Sequence, residues 1–390
     1  MDELTDWYLR HVTTPEALRA EGILQSYLDA HTVGLFERLG FAEHLERPRT
    51  AAGLAADLGY GAQGADVALE ALLRRLAEST GRVSVEAGRF VAAPNAASPS
   101  RADLAPLDLE TLRGEMADLG DDHLAALDFL DYGAEHFAEA LGENEDLLDE
   151  MLAGRSGDPE TEELWFRATN VDPLQDVHGR FGAQAILELF GGGTVLEVGG
   201  GTGNGLRHVL ATLAEAGELE RIERYHFTDI SVGFLKTTRR EMKRAYPGLP
   251  LVWRGLDVNR PLGEQRIENE SLDLIYAVNS AHVARDLVGF LRSCREALRP
   301  GGRVLFSERI RRRPGEMAPR ELTLNLSPYH RGAAERDPEY RPDHCYLTPE
   351  GWLRAFELAG LAEGAVLPDL DRVSETFPGA YAVVVTAVRH

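Results

Sequence analysis

Cysteine is nearly missing from the 390 residues: Cys294 and Cys345 are the two, and they stand in neither a CxxC nor a short Cys/His spacing. That excludes a disulfide framework and a structural zinc module as organising devices, and a reducing, cytoplasmic setting is expected. Long apolar runs are missing too. None approaches the roughly 18 residues of a membrane span. The opening MDELTDWYLRHVTTPEALRA is charged from its second residue, so neither a signal peptide nor a transmembrane segment is expected. Positive charge is in short supply, with 41 Lys and Arg against 64 Asp and Glu and a formal net charge of -23. Such a surplus repels phosphate backbones and anionic bilayers, so neither nucleic acid nor a membrane is an expected partner. What remains is an ordinary globular composition, 44% hydrophobic and 27% charged, long enough for two or three domains.

The first ninety residues read as helices and a hairpin. Apolar residues recur at helical spacing from Ser26 to Leu39. Thr50 then caps a short helix, AAGLAADLG, that Gly59 ends. A stronger periodic run, ADVALEALLRRLAES, starts at Ala65, and RVSVEAGRFVAA follows with a turn at Ala87-Gly88. Two helices and a two-stranded wing make a winged helix, assigned to residues 1–95. Its second helix offers only Arg74 and Arg75 beside Asp66 and Glu70. A major-groove role is therefore unsupported, and a dimerising or substrate-covering role, hence a homodimer, is expected. The segment APNAASPSRADLAP from Ala93 reads as a linker, and a helical covering region with the acidic run GENEDLLDEM fills 96–190.

From Thr194 the pattern changes to short strands alternating with helices. The strand candidates are Thr194–Val198, Arg224–Asp229, Leu251–Asp257, Leu272–Asn279, Arg303–Glu308 and Tyr381–Val388. Several are nearly continuous apolar runs, as parallel strands buried on both faces should be. The expected fold for residues 191–390 is an α/β, Rossmann-like, doubly wound and mostly parallel sheet. Ligands bind such sheets beyond the carboxyl ends of the strands.

Chemistry-bearing residues stand at those ends. After the first strand come Glu197-Val198-Gly199-Gly200-Gly201-Thr202-Gly203-Asn204-Gly205 and a helical run. Glycines there permit a tight turn and close ligand approach, a signal shared by nicotinamide, flavin and adenosylmethionine folds. Glu197 is awkward for a pyrophosphate but suits the cationic amino-acid end of S-adenosylmethionine. Asp229 closes the second strand, where a carboxylate accepts from both ribose hydroxyls. Asp257 closes the third, placed for an adenine amino group, with Leu256 and Val258 as apolar walls.

Together VLEVGGGTGNG, FTDIS, GLDV, LDLIYAVNSAH and LRPGGRVLFSE resemble the ordered motif set of class I S-adenosylmethionine-dependent methyltransferases, over Thr194 to about Ile310. HFTDISVGFL followed by NSAHVARDL is similar to the C-methyltransferase domains of polyketide synthases. The winged-helix start and LTPEGWLRAFELAGL are similar instead to stand-alone small-molecule O-methyltransferases. The resemblance implies cofactor contacts at Glu197, Gly199, Gly201, Gly203, Asp229, Ile230, Asp257, Val258 and Asn279. It also implies a catalytic pair, His282 beyond the fourth strand and Glu308 ending the fifth. An imidazole takes a proton at neutral pH while a carboxylate orients it.

Between Arg309 and Tyr346 the resemblance implies an acceptor pocket, with Asn325, Tyr329, His330 and Tyr346 as substrate contacts. His330 and His344 have no short metal-binding spacing with His282, so no metal is expected. The arginines Arg309 and Arg311 to Arg313 read as a solvated face. His282 is followed by Val283-Ala284 where plant-type O-methyltransferases commonly have Asp-Trp, which tilts the reading from oxygen towards carbon. The expected acceptor is a small natural-product intermediate, free or carrier-bound. A cyclase or decarboxylase that uses S-adenosylmethionine only as a bound cation, and a regulator that senses it, are the competing readings.

Overall fold

The computed structural model describes residues 2–93, 108–142, 159–333 and 336–390. The linker segment from Pro94 and the acidic run up to Met151 fall outside them, apart from Gly142. A seven-stranded sheet organises the C-terminal half. Its strands are β3 (Gly193–Val198), β4 (Ile222–Asp229), β5 (Leu251–Gly255), β6 (Leu272–Val278), β7 (Leu298–Arg309), β8 (Ala362–Leu367) and β9 (Ala382–Val388), in the order β5-β4-β3-β6-β7-β9-β8. Pairings from β5 through β7 are parallel, and β9 runs antiparallel between β7 and β8. The six expected strands are present, and β8 is an addition. Its sequence AEGAVL is short and half-exposed, so it carries little of the apolar pattern that marks the others.

The chain moves outward from β3 through β4 to β5 and then returns to β6, so the sheet switches direction between β3 and β6. A crevice opens beyond the carboxyl ends there. Both sheet faces are covered. The helix Pro173–Leu189 and the helix Asn204–Ala216 pack on one face, and the helices Leu287–Ala297 and Pro349–Ala359 on the other. Strands buried on both sides explain why β9 reads AVVVTAV and is buried throughout.

The N-terminal half forms a second layer, packed against the helix Pro173–Leu189 and the segment that follows β7. Helix Ala51–Asp57 starts at Thr50, whose Oγ1 accepts from Gly53 N at 3.1 Å, and helix Ala65–Arg75 follows. The hairpin of β1 (Val83–Glu86) and β2 (Arg89–Ala92) turns at Ala87 and Gly88, both at positive φ, a geometry that matches strand twist in two-residue loops. The opening helix Asp2–His11 lays Trp7 and Tyr8 against Phe181 of the sheet-covering helix. Long helices Pro15–Arg38 and Leu124–Gly142 pack together, and the second of them meets the helix Glu321–Leu324 that follows β7. Gly133 allows that approach, since a Cβ there would sit 2.4 Å from Thr323 Oγ1. No helix among the described residues is long and apolar enough to cross a membrane.

Candidate functional site

Backbone geometry builds the first wall of the crevice. Gly199 has φ +62, and a Cβ on it would lie 2.6 Å from Ser280 Cβ, because the ends of β3 and β6 come together there. Gly203 precedes the helix Asn204–Ala216 at φ +88, with Thr238 Cγ2 2.5 Å from where a Cβ would be. Gly201, also at positive φ, donates its N–H to Asp229 Oδ2 at 2.8 Å, while Ser231 N donates to Asp229 Oδ1 at 2.7 Å. Asp229 thus ties the glycine turn to the end of β4. Burial pushes its carboxyl up, and those two N–H groups pull it back. Ile230 beside it is 66% exposed, an unusual position for an isoleucine and a ready platform for a flat ring.

Glu197 lies under the turn. Its Oε2 accepts from the Tyr225 hydroxyl at 2.8 Å, its Oε1 is buried without a partner, and burial pushes it up to about 8. A cation brought near would favour its charged form. Asp257 accepts from Asn259 N through Oδ1 at 2.9 Å, and Val258 is half-buried next to it. Asn279 stands at φ +47 after β6; its Oδ1 accepts from Arg309 N at 2.6 Å and its Nδ2 is buried and unpartnered. All nine expected cofactor positions therefore border the ends of β3, β4, β5 and β6. The orphaned Glu197 oxygen fits an ammonium, the orphaned Asn279 N–H donor a carboxylate or other acceptor, and the glycine cradle a nucleoside. Over the turn, Asn170 donates to Thr202 Oγ1 at 2.6 Å, so the helix Pro159–Asn170 touches the cradle from above.

The second wall is made of side chains. His282 lies in a short turn after β6 and Glu308 near the end of β7, neighbouring strands, and both are buried. His282 Nδ1 is 2.5 Å from Glu308 Oε2, and Glu308 Oε1 accepts from Ser280 N at 3.2 Å and Ala281 N at 2.9 Å. A carboxylate taking three hydrogen bonds only accepts, so Nδ1 carries the proton. His282 Nε2 is buried and unpartnered, and in the neutral ring it carries the lone pair. The Tyr346 ring is 4.7 Å from the His282 ring and that of His330 5.9 Å. His330 Nδ1 contacts Cys345 Sγ at 3.0 Å, and burial pushes its imidazole down to about 3. Asn325 pairs with His344, Oδ1 to Nε2 at 3.1 Å, and its contacts run to that residue and to Arg331 rather than to His282. The side chain of Tyr329 lies outside the described residues.

The arginine run divides: Arg312 and Arg313 are exposed, as a solvated face should be, whereas Arg309 and Arg311 are buried. Arg311 is buried, pairs with Glu321, and donates to His344 O at 2.7 Å and Tyr346 O at 3.1 Å. It therefore pins the segment carrying Cys345 and Tyr346. Arg313 bridges to Glu78 of the N-terminal layer and Arg312 pairs with Glu316. Arg309 is buried and stacked on Tyr381 at 4.1 Å, with no carboxylate in ion-pair range among the described residues. Buried Arg341, which sequence reasoning passed over, donates to Ala284 O at 2.9 Å and Arg285 O at 2.5 Å, fixing the loop that holds His282. Charged residues in a polar connection read as surface, and only three-dimensional closure shows them inside.

Residues 196–304 match the family model described as a methyltransferase domain. The chain is 32% identical over 181 residues to the highly reducing polyketide synthase ALT1 of Alternaria alternata, covering 45% of this chain and 6% of that protein. Prosolanapyrone synthase of Alternaria solani is 31% identical over 195 residues, 50% of this chain and 7% of that protein. The chain thus spans under a tenth of the length of these curated relatives. Among solved structures, the CurJ carbon methyltransferase superposes with a TM-score of 0.75 at 20% identity, over 100% of this chain and 97% of the other. The citrinin polyketide synthase CMeT domain gives 0.69 at 18%, over 100% and 94%. Those likenesses carry the fold, from the N-terminal layer to the last strand. The family match across β3 to β7 makes residues 196–304 a methyltransferase domain, for which S-adenosylmethionine is the implied cofactor, set in a chain whose whole fold is that of the superposed carbon methyltransferases.

Proposed function

We propose that the protein transfers a methyl group to an acidified carbon of a small polyketide-type intermediate, free or held on a carrier protein, with His282 as base and Glu308 as its orienting partner. The observation that carries this reading is the buried His282–Glu308 contact with a free Nε2. When bound, S-adenosylmethionine supplies an activated methyl on a sulfonium, so the protein has to position the acceptor, exclude water and take one proton. Asp229, which ties the glycine turn to β4, would hold the ribose; Ile230, Val258 and Asp257 would hold the adenine, and Glu197 and Asn279 the amino-acid end. His282 Nε2 removes the proton between two carbonyls, and Glu308 stabilises the imidazolium that results. Arg309, buried without an ion-pair partner, adds positive potential that favours the enolate. Tyr346 and His330 wall the pocket, with Asn325 and Tyr329 along the same segment, and a homodimer through the N-terminal layer completes the reading.

Support for carbon over oxygen comes from the full-length likeness to carbon methyltransferases, 0.75 and 0.72 in TM-score, against 0.51 for an O-methyltransferase family 2 protein. The test supplies methyl-deuterated cofactor with a β-ketoacyl thioester and with a phenol. Label on the α-carbon of the thioester, lost in Glu308→Gln, is expected. Label on oxygen alone, or product without label and without S-adenosylhomocysteine, overturns the reading.

A further inference from the structure

Beside the base, the structure gathers donors that the sequence keeps apart. One ring nitrogen each of His282 and His330 and the Sγ of Cys345 lie within 4.8 Å of one another, and all three residues are buried. His282 Nδ1 is held by a carboxylate while Nε2 is buried without a partner, the arrangement that metal-binding imidazoles adopt through their second ring nitrogen. Cys345 stands at φ +63, a costly conformation for a residue with a side chain, and in it Sγ reaches His330 Nδ1 at 3.0 Å. Arg311 holds that segment through the carbonyls on either side of Cys345, so the thiol is presented by a fixed loop.

We propose that His282, His330 and Cys345 form a binding site for a thiophilic divalent cation of the zinc class, and that its occupancy silences the base. Two imidazoles and a thiolate select zinc, cobalt(II) or nickel over magnesium or calcium, which prefer oxygen. Ligands at about 2.0 Å (nitrogen) and 2.3 Å (sulfur) around a tetrahedral ion stand roughly 3.3–3.5 Å apart. The N–S pair opens by about 0.5 Å to reach that, and the widest separation closes by about 1.5 Å. On binding, the Cys345 S–H bond breaks, its proton leaves to solvent, and sulfur and the His282 Nε2 lone pair bond to the cation. Three protein ligands leave a fourth position for water or an acceptor oxygen. Since Nε2 then has no lone pair to offer, methyl transfer stops. The inhibitory consequence rests on the role given to His282 above, whereas binding itself does not.

The test is a cobalt(II) titration of the untagged full chain, followed by zinc titration of its activity. One-to-one binding with a near-ultraviolet thiolate-to-cobalt band is expected, absent in Cys345→Ser. Cys294 cannot supply that band from its apolar site beside Phe290 and Leu291. If Cys345→Ser fails to bind S-adenosylhomocysteine as a folded chain should, His330→Gln replaces it and is expected to weaken cobalt binding at least tenfold. Saturating zinc is expected to lower the parent rate tenfold or more, reversibly with chelator, while Cys345→Ser keeps its basal rate and escapes inhibition. No stoichiometric cobalt binding, or a thiolate band that survives Cys345→Ser, overturns the site. A chain that binds cobalt as expected but methylates no acceptor leaves the site standing and defeats the proposed reaction instead.

Discussion

The two walls of the crevice are built by opposite means. On the cofactor side the shape comes from backbone: glycines at positive φ, N–H groups turned inward, and one carboxylate, Asp229, tying the turn to β4. The proposed acceptor side is assembled from long charged side chains folded inward, with Arg311 and Arg341 clamped on backbone carbonyls and Glu308 on N–H groups. A backbone cradle suits a ligand that never changes. A wall of side chains can be revised one residue at a time.

The sharpest break between the walls is chemical. His282→Ala is expected to slow methyl transfer by roughly 100- to 10,000-fold and to leave S-adenosylhomocysteine affinity within about twofold, as calorimetry beside a rate assay would show. Loss of both together would mean the walls are not separable. Next is the ion pair under the acceptor wall. Arg311→Met leaves Glu321 buried and unpaired and should cost about 3–5 kcal/mol in denaturant unfolding, with much of it regained in Arg311→Met/Glu321→Leu. An additive double variant would contradict the pairing.

On the cofactor side, Asp229→Ala removes charge-assisted bonds worth about 1.5–3 kcal/mol, so binding should weaken roughly 10- to 150-fold with little change in the stability of the acceptor segment. The smallest effect is a proton. Glu197, pushed up to about 8 by burial, is largely protonated in the free chain below that pH. A bound ammonium favours the carboxylate, so binding should release up to one proton and tighten as pH rises towards 8, then level off. Calorimetry in buffers of different ionisation enthalpy reads that proton directly. Glu197→Gln should abolish the release, and a release that persists would place the titrating group elsewhere.

The same contrast explains what could be read from the chain. Glycine spacing, apolar strand runs and carboxylates at strand ends are local, so β3 to β7 and Asp229 were legible in the chain, while the His282–Glu308 pairing was legible only through the resemblance, which makes the fourth and fifth strands neighbours. β8 was not, because a half-exposed AEGAVL lacks periodicity. Nor was the grouping of His282 with His330 and Cys345, which are scattered along the chain and meet only because Arg311 turns a polar connection inward. The same lack of local signal made Arg311 look like part of a charged surface.

The start of the helix Ala65–Arg75 has a consequence for engineering. Gly64, at φ +72, sits so near Arg331 that a Cβ would come within 2.7 Å of its Cβ, and Arg331 donates to Gln63 O at 2.9 Å while also holding Asn325 O and Leu326 O. Arg331 thus stitches the N-terminal layer to the proposed acceptor wall, beside the Arg313–Glu78 and Arg336–Glu70 ion pairs. If the proposed acceptor wall holds, chimeras that exchange the front of the protein are expected to keep or lose acceptor preference according to whether the seam at Gly64 and Arg331 is carried across intact.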